Sequence, residues 1–342
     1  MRTKPVRRAV ASVLATASLL LAAIPALATE AGFRQFDVLA RSSSQEAMHV
    51  VLFYPTQDSA KAVPMGPFTL TVAINGKPDA SVKGLLLLSH GTGGTELGHS
   101  SLAEALARGG YLVAALRHPG DNWKDQSLLN GPGGHYFSER PRQASWVIDA
   151  ILRDPEWTAR IKADAHGLRI GAVGHSAGGY TVLALAGGIP DLSRIASHCA
   201  TSSDDPIFCS MGRRETNAAT GKMSFEGLRD PRVRAVAALA PASVMFSAQS
   251  LAAISVPATI YAGDKDTFLV PRYHAEWARQ NITKAEYHAI PNAGHYAFMD
   301  TPNIPIPSPD GDLRANPEGF DRSEFQRELA IDLNRFFDHA FQ

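Results

Sequence analysis

A serine hydroxyl attacks a carbonyl carbon efficiently only where a base takes its proton and fixed donors receive the charge that the attack creates. Three short stretches of this chain carry those groups in order: Gly174-His175-Ser176-Ala177-Gly178-Gly179, then Gly263-Asp264-Lys265-Asp266, then Ala293-Gly294-His295. The first is a G-x-S-x-G sequence between a strand-like run, RIGAV, and a helix-like run, YTVLALAGG. A serine on a sharp strand-to-helix turn needs neighbours with little side chain, because chain segments pack closely there. The amides of the following helix point back at it, which favours developing negative charge. A turn that merely happens to hold a serine would explain the glycines. It would not explain an acid and then a histidine at the next strand ends, in the order that this context requires.

His295 is the expected base, with Ala293 and Gly294 before it just past a strand. Of the twelve histidines, His288 falls inside that strand, His274 on a helix, and His90 ahead of the serine, where it would brace a loop. Asp266 is the preferred acid, since it lies farther past its strand and can reach a neighbouring loop; Asp264 is the alternative, with capping the turn as its other reading. The oxyanion donors expected are two backbone amides. One belongs to Ala177, next to the serine. The other belongs to Thr92 in Ser89-His90-Gly91-Thr92-Gly93-Gly94, whose glycines would also make a tight turn by themselves. This chemistry needs no metal or organic cofactor, and the sequence has no Cys/His cluster at zinc spacing.

Elements that could position these groups are legible along the chain. GLLLLSHG, YLVAALRHPG, LRIGAVGHS, RVRAVAALAP, PATIYAGDKD and AEYHAIPNAGH read as strands, most of them continuous apolar runs of the kind buried on both faces. Helical patterns alternate with them: LAEALARGG, a helix over 140–154 with Pro141 near its start, AGGYTVLALAGG, QSLAAI, YHAEWARQ and a last one from residue 320. Alternation of this kind predicts a mostly parallel sheet with helices on both faces. Before it, FRQFDVLA, HVVLFYPT and FTLTVAI predict an N-terminal antiparallel β extension. Residues 121–139 and 189–230 break the rhythm and read as loops or a partial lid over the site.

The chain opens with Arg2, Lys4, Arg7 and Arg8, an apolar stretch, and Ala26-Leu27-Ala28. That is the pattern of a signal peptide over 1–28, which predicts export to the periplasm or beyond and no membrane segment after cleavage. Cleavage leaves the mature chain mildly acidic, because four of the 33 basic residues lie in the leader and none of the 33 acidic ones does. No basic tract suits a nucleic-acid partner. The two cysteines, Cys199 and Cys209, are ten residues apart, and in an exported protein they read as one disulfide.

Taken together, SHGTGG, YLVAALRHPGDN, GHSAGG, GDKD and AGH resemble the α/β-hydrolase superfamily. Within it they resemble the exported predicted dienelactone hydrolases related to platelet-activating-factor acetylhydrolase. The run Arg117 to Asn122 is the most group-specific piece, and FYPT near the N-terminus is similar too. The resemblance covers nearly all of residues 29–342 and implies an α/β-hydrolase fold with Ser176, Asp266 and His295 as triad and Thr92 and Ala177 as oxyanion donors. Two departures stand out: dienelactone hydrolases proper use a cysteine nucleophile, and Gln143 stands where the group often has an acid. The expected activity is hydrolysis of small-molecule or lipid-like carboxylic esters by a monomer. A serine peptidase on the same fold and a non-catalytic binding module are the alternatives.

Overall fold

The computed structural model describes residue 1 and residues 29–39, 47–131, 134–217 and 225–342, with the backbone alone over 212–217. The signal peptide expected over 1–28 lies outside the described residues apart from Met1.

The strands are β1 (Glu30–Gln35), β2 (Val50–Thr56), β3 (Lys61–Met65), β4 (Phe68–Ile74), β5 (Leu85–Ser89), β6 (Leu112–Leu116), a two-residue pair β7 (Ala163–Asp164) and β8 (Gly167–Leu168), β9 (Ile170–His175), β10 (Ala235–Leu239), β11 (Ala258–Gly263), β12 (Ala285–Ile290), and a second short pair β13 (Pro307–Ser308) and β14 (Gly311–Asp312). The helices are α1 (Ser100–Arg108), α2 (His135–Arg153), α3 (Pro155–Thr158), α4 (Ala177–Leu185), α5 (Leu192–Thr201), α6 (Pro206–Asn217), α7 (Ala248–Ala252), α8 (Ala275–Asn281) and α9 (Arg322–Ala340).

Among the described residues, ten strands form one sheet in the order β12-β11-β10-β9-β5-β6-β2-β1-β4-β3. The six from β12 to β6 run parallel. The N-terminal extension is continuous with them: β2 pairs antiparallel to β6 and to β1, while β1 and β4 pair parallel. β3, which the sequence reading did not anticipate, closes the edge as a hairpin with β4. Its KAVPM is mostly exposed, with a lysine and a proline, as suits an edge strand.

Side-chain alternation explains why LLLLS needs to be apolar throughout. Leu85 and Leu87 pack with α2, α4 and α8 on one face, and Leu86 and Leu88 with α1 and α9 on the other. The register lines up the strand ends: Ser89 lies opposite Gly174, His175 opposite Leu239, and Gly263 opposite Ile290. The loops after β5, β9, β11 and β12 therefore leave from one edge of the sheet, the carboxyl edge where sites form in such folds.

Two segments are more ordered than the sequence suggested. α2 starts at His135, within the stretch read as loop. Its Pro141 has no N–H for the Phe137 carbonyl four residues earlier, and the Tyr180 hydroxyl of α4 donates to that oxygen at 2.8 Å. Within 189–230, α5 and α6 form a helical hairpin joined by the Cys199–Cys209 disulfide.

Candidate active site

The turn after β9 holds Ser176 at φ 58°, ψ −116°, a conformation that L residues seldom adopt. Hydrogen bonds over-determine it: Ser176 N–H donates to Leu239 O at 2.9 Å, and Ser176 O accepts from the N–H groups of Tyr180 and Ala242, each at 3.1 Å. The flanking glycines are required by close approach. A Cβ on Gly174 would lie 2.0 Å from Gly178 O, and one on Gly178 would lie 1.9 Å from Ser89 O.

Asp266 leaves the end of β11 and His295 follows β12. His295 Nδ1 and Asp266 Oδ2 are 2.7 Å apart, and both side chains are buried. The other carboxylate oxygen, Oδ1, accepts from Phe268 N–H at 2.9 Å and Leu269 N–H at 2.8 Å. The Phe268 ring stacks on the imidazole at 4.6 Å, and His175 Nε2 donates to His295 O at 3.0 Å. Asp264, by contrast, is exposed and lines a separate cleft with Arg272 and Glu276. His288, in β12, is stacked on Tyr261 of β11, and His274 lies just before α8.

Ser176, Ala177 and Thr92 line one cavity with about 520 Å³ of empty space, its open mouth included. Ala177 is the first residue of α4, so its N–H belongs to the first-turn donors that find no partner inside a helix. Among the described residues, apolar and aromatic side chains make the rest of the wall. Ile195, Phe208 and Met211 come from the α5–α6 hairpin, and Tyr136, Met245 and Leu269 from the body.

Beneath the loop that carries Thr92 lies a buried polar network, in which His90 braces the loop as expected and whose other members the sequence reading missed. His90 Nδ1 donates to Gly91 O at 2.6 Å, and its Nε2 accepts from His118 N–H at 3.1 Å. His118 Nε2 accepts from Ser89 Oγ at 2.8 Å, and its Nδ1 donates to Gln143 Oε1 at 2.8 Å. These tautomers are fixed by the partners. Gln143 also donates through Nε2 to Pro119 O at 3.1 Å, which an ionised acid at that position could not do. Asp121 and Arg140 form an ion pair in the same layer. A second unforeseen cluster ties the hairpin down: Asp205 Oδ2 meets His198 Nε2 at 2.8 Å and His274 Nε2 at 3.1 Å.

Burial holds four histidines of this region neutral. His90 and His99 are pushed down to about 3, chiefly by loss of hydration, and His118 and His175 well below their ordinary value for the same first reason. The unfolded chain binds protons on these rings near pH 6.5, and the folded chain does not, so stability falls as pH drops through 6.5. Each ring contributes up to about 1.4 kcal/mol per pH unit. Burial raises the carboxyls of Glu104 and Asp300, which acts in the opposite sense. Thermal melts should therefore show the midpoint falling steeply between pH 6.5 and 5.5. A flat midpoint across that interval would contradict the neutral-histidine packing.

No model of a known protein family matches the chain. It is 34% identical over 104 residues to a probable 1-alkyl-2-acetylglycerophosphocholine esterase of Arthroderma benhamiae. That match covers 29% of this chain and 26% of the relative, about a quarter of the relative's length. Among solved structures it is similar to a ferulic acid esterase from Streptomyces cinnamoneus, with TM-score 0.56 and 18% identity over 94% of this chain and 92% of that one. It is also similar to a dienelactone hydrolase from Anabaena variabilis, with TM-score 0.51 and 13% identity over 92% of this chain and 100% of that one. The mostly parallel sheet, the positive-φ serine turn after β9 and these likenesses agree: the chain has the α/β-hydrolase fold.

Proposed function

We propose that the protein is an exported serine hydrolase that cleaves carboxylic esters through an acyl-enzyme. The observation that carries this reading is the Asp266–His295 pair at 2.7 Å, set on strand ends at the same sheet edge as a serine held at positive φ. Ser176 Oγ attacks the ester carbonyl while His295 Nε2 takes its proton. The new Oγ–C bond leaves the charge on the carbonyl oxygen, which the N–H groups of Thr92 and Ala177 receive. Collapse of this intermediate breaks the bond to the alcohol oxygen, and His295 returns the proton to it. Water then attacks the acyl group, His295 takes the water's proton, and the acid leaves as Ser176 recovers its hydrogen. Asp266 keeps the imidazole proton on Nδ1 and stabilises the charged ring.

Among the described residues the cavity wall contains no charged side chain, which favours a neutral, apolar group beside the scissile bond. Export is supported by the composition of residues 1–28 and by the Cys199–Cys209 bond. Among the described residues no helix is long and apolar enough to cross a membrane. A panel of p-nitrophenyl esters from acetate upward, an acetylated ether phospholipid of the kind that names the fungal relative, and a peptide anilide tests the reading. Turnover of esters with an intact anilide is expected. Anilide cleavage without ester cleavage would reassign the protein as a peptidase.

The α5–α6 hairpin is proposed as the part of the site that reads substrate size, because it supplies Ile195, Phe208 and Met211 to the cavity. Closing a loop of this length by a disulfide removes about 2–3 kcal/mol of unfolded-chain entropy in the loop-closure account. Reduction should loosen that wall while Asp205 still ties the hairpin to His274. Parallel kinetics with and without reductant should show a larger loss of kcat/KM for bulky esters than for acetate. Equal losses would leave the bond a structural role alone.

A further inference from the structure

We propose that the buried Asp121–Arg140 ion pair is a positioning element of this site. It fixes the loop that carries Thr92 against the nucleophile helix, so that two N–H donors on separate elements meet one oxyanion. The proposal rests on the ester-hydrolase reading above.

Both side chains are fully buried. Removing two charges from water is costly and is offset only where further hydrogen bonds satisfy both groups. Here those bonds go to the two donor-bearing elements. Asp121 Oδ2 accepts from Arg140, and its Oδ1 accepts from Gly93 N–H at 2.8 Å. Arg140 Nη2 donates to His90 O and, at 3.2 Å, to Ser89 Oγ. The pair therefore grips the loop on both sides of Thr92, at the His90 carbonyl and at the Gly93 amide. Between these points, Gly91 O is drawn back by His90 Nδ1 at 2.6 Å and Gly94 N–H at 3.1 Å. In a trans peptide the C=O and the following N–H point in opposite directions, so the Thr92 N–H is aimed away from the loop's own bonds. Thr92 and Ser176 share the cavity, and a Cβ on Gly91 would sit 3.2 Å from Ser176 Cβ.

The same guanidinium also reaches the nucleophile helix, on which the other donor lies. Arg140 Nε donates to Thr181 Oγ1 at 3.1 Å, and that hydroxyl donates to Ala177 O at 2.9 Å. One planar fork thus spans the loop after β5 and Thr181 of α4, whose hydroxyl links on to Ala177 O. Its rigidity suits this task better than the single ammonium of lysine. The arrangement also gives the HPGDN run a physical role. Gly120 at φ 76° passes under Leu128, and Asn122 Nδ2 donates to His118 O at 2.8 Å, which together present Asp121 to Arg140.

Preorganised donors act on the transition state and not on the bound ester. Arg140→Lys should therefore lower kcat for a short ester by about 10²-fold while KM stays within roughly threefold. Affinity for a trifluoromethyl ketone, to which Ser176 Oγ adds while His295 takes its proton to give a tetrahedral hemiketal anion, should fall by the same factor, about 10²-fold. Folding is checked by near-ultraviolet circular dichroism. Asp121→Asn, which keeps an acceptor for Gly93, and Thr181→Val, which cuts only the link to α4, should show smaller losses of the same matched kind. If Arg140→Lys does not fold, these two variants decide. Folded variants that keep parental kcat, or lose kcat with unchanged inhibitor affinity, would overturn the positioning role. The parent enzyme is the control for the underlying reading: parent protein that turns over no ester refutes the hydrolase assignment before any variant is compared.

Discussion

Replacing Ser176 with alanine should lower ester turnover by about 10⁶-fold, the scale seen when a triad nucleophile is removed. The fold should survive. The Ser176 side chain makes no capping bond to α4, and the backbone bonds to Leu239, Tyr180 and Ala242 do not depend on it. Alanine accepts the positive φ at a strain cost close to that of serine. His295→Ala should be as severe in activity, because nucleophile and base act as one unit, and the double variant should be little worse than either single one. His295→Ala should also lower the thermal midpoint, since the ring fills a buried site against Phe268 and His175. Rates are read by initial velocities on p-nitrophenyl acetate with protein shown to be folded. A Ser176→Ala variant retaining a tenth of the parental rate would remove the nucleophile assignment.

Asp266→Asn should cost about 10⁴-fold in kcat, and the hydrogen bonds say why. Oδ1 of Asp266 accepts from two backbone N–H groups, at 2.9 and 2.8 Å. An asparagine must keep its oxygen there, or set its NH2 against two donors. Its NH2 then faces His295 Nδ1, which becomes the acceptor, and the ring proton moves to Nε2. A ring protonated at Nε2 cannot take the serine proton. Asp264→Asn should leave turnover near the parental value, since Asp264 is exposed and lines another cleft. A solvent-titrated rate profile of both variants separates them, and a larger loss at Asp264 would reverse the choice of acid.

The candidate site was legible in the sequence where chemistry and backbone geometry coincide. Glycines around Ser176 are demanded by contacts under 2.1 Å, so they leave a mark in the sequence that no surface pressure would leave. Asp266 and His295 could be picked out together as candidates because each follows a strand that ends at the same edge. The strands themselves were plain in runs such as LLLLS, where both faces are covered. The α5–α6 hairpin was not plain. Among the described residues Ile195, Phe208 and Cys209 are its buried apolar anchors, and its order also comes from a disulfide and from Asp205 bonding to His274 far along the chain.

Arg140 was overlooked for a different reason. It sits on the buried stripe of α2 with Phe137, Ala144, Val147 and Ile151, and a charge on an apolar stripe is itself a signal. The partner that explains it, Asp121, lies in the preceding loop and shows itself only in three dimensions. Pro141 misled the placement of the helix start, because a proline is usual in a first turn, and here a tertiary contact from Tyr180 allows it deeper in the helix.

The central claim is a covalent intermediate on one serine. Its most direct test is to quench the protein with acid during turnover of a p-nitrophenyl ester and map the acyl group by peptide mass spectrometry. The account predicts a burst of p-nitrophenol of about one per chain and a single acylated peptide carrying Ser176. Steady ester turnover with the acyl group on another residue, or with no acylated peptide under conditions that show a burst, would contradict it.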